Sequence, residues 1–302
     1  MRSLWFEGPG RVVVREEDTP IVAPDQVLVR GLASAVSQGT EMLLYRGEGP
    51  TPFDPSLGAV AYPMRYGYAW VGACEDGTRV FGLLPHGDTH VVSPSELRVL
   101  PPEVPARRAT LAASLETAIT CAWDAGVAFG ERVTVFGGGT VGLLIAWILQ
   151  RSASVRVVER SAARRELARG LGADAAHEEA DVVIEATGDP HVLDDAIASA
   201  APGGRVVVAS FYGARRAPIA LGDAFHRRRL TLVASQVSTI PPRLAPRWSY
   251  ARRFELVRAL LGDPVLDALL APSVPFDEAP ALYERLAAGV DAAPPCHVFE
   301  YA

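Results

Sequence analysis

Lysine is absent from the 302 residues: all 29 basic side chains other than histidine are arginine. We read this as compositional bias, and it removes any mechanism that needs a lysine amine, a Schiff base above all. Cysteine is scarce. Its three copies, Cys74, Cys121 and Cys296, lie far apart and form no C-x-x-C pair. That spacing argues against disulfides and a cysteine-rich zinc knuckle, and it favours a reducing, cytoplasmic compartment. Long apolar runs are missing too. The longest, Val141 to Leu149, falls far short of the roughly 20 residues that cross a bilayer. The first residues, Met1-Arg2-Ser3-Leu4-Trp5-Phe6-Glu7, carry no leader-peptide pattern, so no membrane association is expected. Positive charge is in deficit. A formal net charge of −6 leaves no basic face for nucleic acid. With 49% hydrophobic residues, the chain reads as globular and long enough for two domains. We find no internal repeats or low-complexity tracts.

The first hundred residues are strand-like. Leu4-Trp5-Phe6, the turn Gly8-Pro9-Gly10 and Arg11-Val12-Val13-Val14-Arg15 predict an opening hairpin, and Asp25 to Leu32 alternates as a half-buried strand does. Two glycine-punctuated segments follow, Ser37-Gln38-Gly39-Thr40-Glu41 and Tyr66 to Gly72, then short strands near Arg79–Gly82 and Thr89–Val92. This pattern suggests a small barrel-like domain. Beyond the prolines at 101, 102 and 105, Ala106 to Ala125 is alanine-rich and helix-forming. Strand–helix alternation then begins, with strands expected at Val133–Phe136, Val155–Val158, Asp181–Ile184, Arg205–Ala209 and Leu230–Ala234. Apolar strands separated by helices are the signature of a parallel sheet covered on both faces. Short strands at Val274-Pro275-Phe276 and His297–Glu300 flank a last helix, and they are expected to return to the first domain.

Within the alternating region, Gly137, Gly139 and Gly142 fit G-x-G-x-x-G between a β-branched run and an apolar helix. Gly137 permits the tight turn, Gly139 admits a diphosphate close to the backbone, and Gly142 lets the helix pack on its strand. A diphosphate would sit at the positive helix end, against Thr140 and Val141. Glu159 ends the next strand about twenty residues on, where a carboxylate accepts both ribose hydroxyls of NAD and repels a 2′-phosphate. Arg160 follows, with Arg164 and Arg165 close by, so NADP stays open. Thr187 and Ser210 stand at the carboxyl ends of later strands, where ligands bind in such sheets, or else in ordinary turns.

Taken together, these segments resemble the medium-chain dehydrogenase/reductase superfamily over essentially the whole chain. The resemblance implies an α/β architecture: a Rossmann doubly wound parallel sheet plus a β-rich GroES-like domain built from the N-terminal part and the C-terminal return. We expect a substrate domain over 1–117, a dinucleotide-binding domain over 118–266 and the return over 267–302. Zinc-dependent members draw metal ligands from Cys-Gly-Thr-Asp-like and Gly-His-Glu motifs. Here the matching segments are Gln38-Gly39-Thr40-Glu41 and Gly67-Tyr68-Ala69, with Gln38 at the cysteine and Tyr68 at the histidine. A third, acidic ligand position matches Glu116 in Ser114-Leu115-Glu116-Thr117-Ala118. One carboxylate does not hold zinc, which takes about four ligands in a tetrahedral array. The four-cysteine structural lobe of many relatives is missing as well. The chain is therefore similar to a zinc-free branch, and its patterns resemble those of bacteriochlorophyllide dehydrogenase-like members, a likeness we do not extend to that substrate. We expect no bound metal. A metal site built from Glu116 with His86 or His90 is the weaker alternative, because those histidines straddle Gly87 in a turn-like stretch and read as surface or packing residues.

The resemblance gives Thr40 the hydrogen bond to the substrate oxygen. Tyr68 either donates a proton to a developing alkoxide or enolate, or fills the vacated metal cavity. Glu116 is either a general acid–base or a structural acceptor. Gln38 and Tyr45 are candidates to orient substrate, and Phe53 to line its pocket from a proline-rich loop. The expected function is zinc-independent, NAD(P)-dependent hydride transfer at a carbonyl or alcohol carbon of a small, possibly ring-containing molecule. Reduction of a conjugated C=C or C=N bond is the near alternative, and a non-catalytic nucleotide sensor or structural protein the distant one. A homodimer is implied by the resemblance.

Overall fold

A computed structural model of the chain describes residues 1–49, 61–290 and 293–301. Two compact units make it up, Met1–Ala113 with Arg258–Ala302, and Ser114–Val257.

The first unit opens with the hairpin β1 (Arg2–Gly8) and β2 (Arg11–Glu16), followed by the long strand β3 (Val27–Ala35). Helix α1 spans Gln38–Tyr45, in a glycine-punctuated stretch whose Gly39 disfavours a helix locally. Burial of Met42, Leu43, Leu44 and Tyr45 overrides that local preference. Strand β4 (Met64–Arg65) joins β1, and β5 (Trp70–Ala73), β6 (Arg79–Gly82), β7 (Thr89–Val92) and β8 (Leu97–Val99) build the antiparallel sheet around β3. Short α2 (Ala106–Ala109) closes this part. The alanine-rich stretch expected as one helix breaks at Thr110, whose hydroxyl donates to the Arg107 carbonyl at 2.6 Å. Such side-chain bonding competes with helix continuation. Helix α3 (Ala112–Ala125) then begins.

In the second unit, β9 (Arg132–Phe136), α4 (Thr140–Leu149), β10 (Ser154–Val158), α5 (Ala162–Gly170), β11 (Ala180–Glu185), α6 (Leu193–Ala198), β12 (Ala200–Val208) and β13 (Thr231–Ala234) alternate. The strands form one parallel sheet in the order β10-β9-β11-β12-β13. Strand β9 thus has β10 on one side and β11 on the other. The order reverses at β9, and ligands of open α/β sheets bind outside the carboxyl ends of strands at such a switch point. Val183, Ala196, Ile197, Val206 and Leu230 pack together in this unit's core.

Helix α7 (Tyr250–Leu260) leads to β14 (Val274–Pro275), α8 (Ala279–Ala287) and β15 (Val298–Glu300). As expected, these return to the first unit. β15 runs antiparallel to β3, pairing Val298 with Ala35, and β14 lies parallel to β15. Tyr283 of α8 enters the aromatic core edge-to-face on Phe6, with ring centroids 5.4 Å apart. Among the described residues no helix is long and apolar enough to cross a membrane.

Candidate functional site

The second unit places a glycine turn at the switch point. Gly137 holds φ at +102°, and a Cβ there would lie 2.7 Å from the Ala186 carbonyl oxygen. A Cβ at Gly142 would lie 2.1 Å from the Gly137 oxygen, so only glycine lets α4 sit this close to its strand. A Cβ at Gly139 would meet nothing within 4 Å. The turn is open there. No side chain caps α4, whose first residues are Thr140 and Val141, so its N-terminal N–H groups and dipole suit an anion. The turn therefore fits a diphosphate.

Glu159, just past β10, closes the other side of this turn. Its carboxylate accepts the Gly138 N–H at 2.7 Å and the Ser161 N–H at 2.8 Å. These bonds hold the acid beside the glycines, with acceptor capacity left for a ribose. Arg165 donates to the Glu159 and Arg160 carbonyls, at 2.7 and 2.6 Å, and Arg160 itself is exposed.

Thr187 and Ser210 are clamps within the loops after β11 and β12. The Thr187 N–H and hydroxyl donate to Glu185 at 2.6 and 2.5 Å, and the same hydroxyl accepts the Asp189 N–H at 3.0 Å. Ser210 accepts the Gly188 N–H at 2.9 Å. Glu185 is fully buried and also accepts from the Tyr212 hydroxyl at 2.5 Å. Sequence reasoning passed over Glu185; its signal is an acid directly after the apolar run 182–184.

In the first unit, α1 and the loop before β5 bring hydroxyls together. The Tyr68 hydroxyl hydrogen-bonds Ser37 Oγ and donates to Thr40 Oγ1 at 3.3 Å. Burial pushes the Tyr68 pKa up; the bonds to Ser37 and Thr40 pull it down, and the Glu41 charge raises it again. The phenol is thus protonated at neutral pH, as a proton donor must be. Behind it lies a polar chain that sequence reasoning missed. Glu41 is fully buried; its Oε1 accepts the Ser37 N–H at 2.7 Å, and its Oε2 bonds His86 Nε2 at 3.0 Å and accepts from the Tyr283 hydroxyl. His86 Nδ1 lies 2.6 Å from Ser34 Oγ, which lies 2.5 Å from the Tyr301 hydroxyl, and that hydroxyl accepts the Gly87 N–H at 3.0 Å. Every proton finds an acceptor if Tyr301 donates to Ser34, Ser34 to Nδ1, and Nε2–H to Glu41. An acid directly before the apolar run Met42–Tyr45 was the available signal: such a carboxylate is buried and needs partners.

Neither histidine is a surface residue. His86 is 1% exposed. His90, 7% exposed, packs edge-to-face on Trp70 and bonds the Pro85 carbonyl at 3.0 Å. Burial is the main cause that lowers its pKa to about 4. Tyr45, considered for substrate orientation, is a core side chain stacked on Tyr283 at 5.7 Å. Gln38 and Thr40 lie in the first turn of α1, partly exposed. Phe53 lies outside the described residues.

Glu116 belongs to the second unit, on α3. Arg253 of α7 brings its Nε and Nη2 to 3.0 Å from Glu116 Oε1 and also donates to Thr120 Oγ1 and the Val237 carbonyl. That pairing fits a structural acceptor. The residues matched to metal ligands do not fit a metal: one is an amide, one a phenol bonded to two hydroxyls, and the carboxylate is paired with a guanidinium. Among the described residues, no group of three or more His, Cys, Asp or Glu side chains could hold a metal ion.

No family model matches the chain. It is 26% identical over 332 residues to D-guloside 3-dehydrogenase of Escherichia coli K12, covering 94% of this chain and 95% of that protein. It is 30% identical over 224 residues to 2-desacetyl-2-hydroxyethyl bacteriochlorophyllide A dehydrogenase of Cereibacter sphaeroides, covering 63% of this chain and 67% of that one. Among solved structures, a short chain alcohol dehydrogenase of Escherichia coli CFT073 complexed with NADH superposes with a TM-score of 0.78 at 18% identity, covering 100% and 99% of the two chains.

Proposed function

The chain belongs to the medium-chain dehydrogenase/reductase superfamily, and on that premise we propose that it is a zinc-independent oxidoreductase acting on a carbonyl or alcohol carbon. It is an NAD(P)-dependent enzyme of this superfamily, with NAD the cofactor we infer from Glu159. The bound nicotinamide supplies or accepts the hydride. Gly139, Thr140 and Val141 would receive the diphosphate, on a turn that Gly137 and Gly142 shape, and Glu159 the adenine ribose. Thr187 and Ser210 would brace the neighbouring loops.

One observation carries the chemistry. The Tyr68 phenol stands at the position matched to a ligand histidine and is bonded to Ser37 and Thr40. A developing alkoxide between these hydroxyls would accept from Thr40 and, once the phenol proton turns from Thr40, from Tyr68, and such donors act most strongly where water is excluded. Tyr68 donates the proton and Thr40 orients the oxygen; in oxidation the proton moves the other way. Zinc independence is supported by the residue types at the matched ligand positions and by the pairing of Glu116 with Arg253. Both similar proteins are dehydrogenases by name, one of a glycoside and one of a hydroxyethyl-bearing bacteriochlorophyllide, which favours alcohol chemistry on a ring-bearing substrate over C=C reduction.

The test is NADH oxidation by EDTA-dialysed protein across a panel of keto-glycosides, ring ketones and enones, with Tyr68→Phe measured beside it. We expect turnover of a carbonyl substrate and a loss of about 10²- to 10⁴-fold in kcat for the variant, the contribution of a positioned general acid, with NADH affinity unchanged. Undiminished turnover in Tyr68→Phe would remove the phenol from the mechanism. Activity that returns only with added zinc would remove zinc independence.

A further inference from the structure

We infer that the buried Glu41–His86 pair positions the Tyr68 phenol, acting on its hydroxyl through Ser37 and on its backbone through Gly67. The inference rests on the reading of Tyr68 as proton donor and adds the residues that hold it.

Four observations converge. First, Glu41 is fully buried and His86 nearly so. A buried acid is costly and survives only when its acceptors are filled, here by the Ser37 N–H, by His86 and by Tyr283. An apolar residue at 41 would leave the Ser37 N–H, His86 and the Tyr283 hydroxyl without this acceptor. Second, Ser37 is the N-cap residue of α1 yet makes no side-chain cap bond. An N-cap serine ordinarily turns its hydroxyl onto the helix N–H groups. Here the bond runs in reverse, from the Ser37 N–H to Glu41, and the released hydroxyl meets Tyr68. Third, Gly67 directly precedes Tyr68 at φ +117°, and a Cβ there would lie 2.7 Å from His86 Cδ2. The backbone entering Tyr68 is therefore seated on the imidazole ring. Fourth, that imidazole is fixed at its far side by Ser34, which Tyr301 holds in turn. One hydrogen-bonded pair thus reaches both ends of Tyr68. Such outer partners commonly change activity about 10- to 100-fold when removed.

The experiment uses full-length protein with [13Cζ]tyrosine, the Tyr68 resonance being assigned by its absence in Tyr68→Phe. Glu41→Gln, Ser37→Ala, Ser37→Thr and the Glu41→Gln/Ser37→Ala double variant are compared. We expect Glu41→Gln and Ser37→Ala each to displace the Tyr68 resonance and to lower kcat about 10- to 100-fold with unchanged NADH Kd. The double variant should exceed Ser37→Ala only by the share that Glu41 exerts through Gly67, short of the two single effects added, and Ser37→Thr should restore the wild-type resonance. A Tyr68 resonance unmoved by Glu41→Gln, or single effects that add in the double variant, would overturn the inference. Ser37 is partly exposed, so if Glu41→Gln does not fold, Ser37→Ala alone decides: an unmoved resonance overturns the inference. A wild-type kcat in Tyr68→Phe instead fells the proton-donor reading beneath it.

Discussion

Replacing Glu116 by leucine separates a supporting carboxylate from a reacting one. The ion pair it breaks is mostly buried, with Arg253 5% and Glu116 12% exposed at the side chain. Losing one partner of such a pair costs about 3–5 kcal/mol, because the other charge stays buried without its counter-ion. Arg253 keeps its bonds to Thr120 at 2.9 Å and to the Val237 carbonyl at 2.7 Å, and Glu116 retains some exposure. Both facts put the cost near the lower end, at about 3 kcal/mol. At about 2–4 °C per kcal/mol for a domain of 150–250 residues, thermal unfolding followed by circular dichroism should fall by about 6–12 °C. Arg253→Leu should cost more, since Thr120 and the Val237 carbonyl lose their donor. The double leucine variant should be less destabilised than the two singles together by about 2 kcal/mol, the coupling of contacting residues. Glu116→Gln still accepts a bond from Arg253 and should turn over substrate within a few-fold of wild type. A loss of about 100-fold in kcat with Tm unmoved would refute this reasoning and make Glu116 a participant in the reaction.

The cofactor and the acid response offer further tests. Glu159→Ser removes the proposed ribose acceptor and its repulsion of a 2′-phosphate, leaving Arg160 exposed nearby. Fluorescence titration should show NADH affinity falling about 10-fold or more, as for one lost hydrogen bond to a charged group, while NADPH affinity rises; an unchanged ratio would count against Glu159 as the selector. His90 makes a pH-dependent contribution. Its folded pKa, about 4, lies below the unfolded value, so the unfolded chain binds the extra proton. The stabilisation is complete above about pH 6.5 and lost as pH falls towards 4, roughly 3 kcal/mol at most. His90→Gln should flatten the acid limb of stability against pH, and an unchanged slope would assign the limb to other groups.

The strand–helix alternation was legible because parallel strands buried on both faces are written as apolar β-branched runs, and the glycine turn because only glycine fits the contacts at 137 and 142. Helix α1 was not legible: Gly39 disfavours a helix locally, and the core beneath residues 42–45 decides otherwise. The candidate residues of the two units differ in the same way. Glu159 sits a fixed number of residues from the glycines, so spacing finds it. The polar chain behind Tyr68 comes from β3, α1, the His86 loop, α8 and the residue after β15, and no spacing in sequence joins Glu41 to Tyr283 or Ser34 to Tyr301. Tyr45 was drawn to the site by its neighbourhood in sequence, yet α1 turns it into the core.

The split of the first unit into Met1–Ala113 and Arg258–Ala302 has a bearing on how the protein is made. The parallel sheet of the second unit closes with contiguous chain, whereas β3 waits for β15. During synthesis the nucleotide-binding sheet can therefore finish while β3 still presents an open edge, which is a hazard for pairing with other chains. A completed second unit holds its own two ends in place and shortens the effective loop that β15 must close. Tyr283 and Tyr301 arrive with that same late segment. A nascent chain thus acquires its cofactor platform before the polar chain behind Tyr68 is complete.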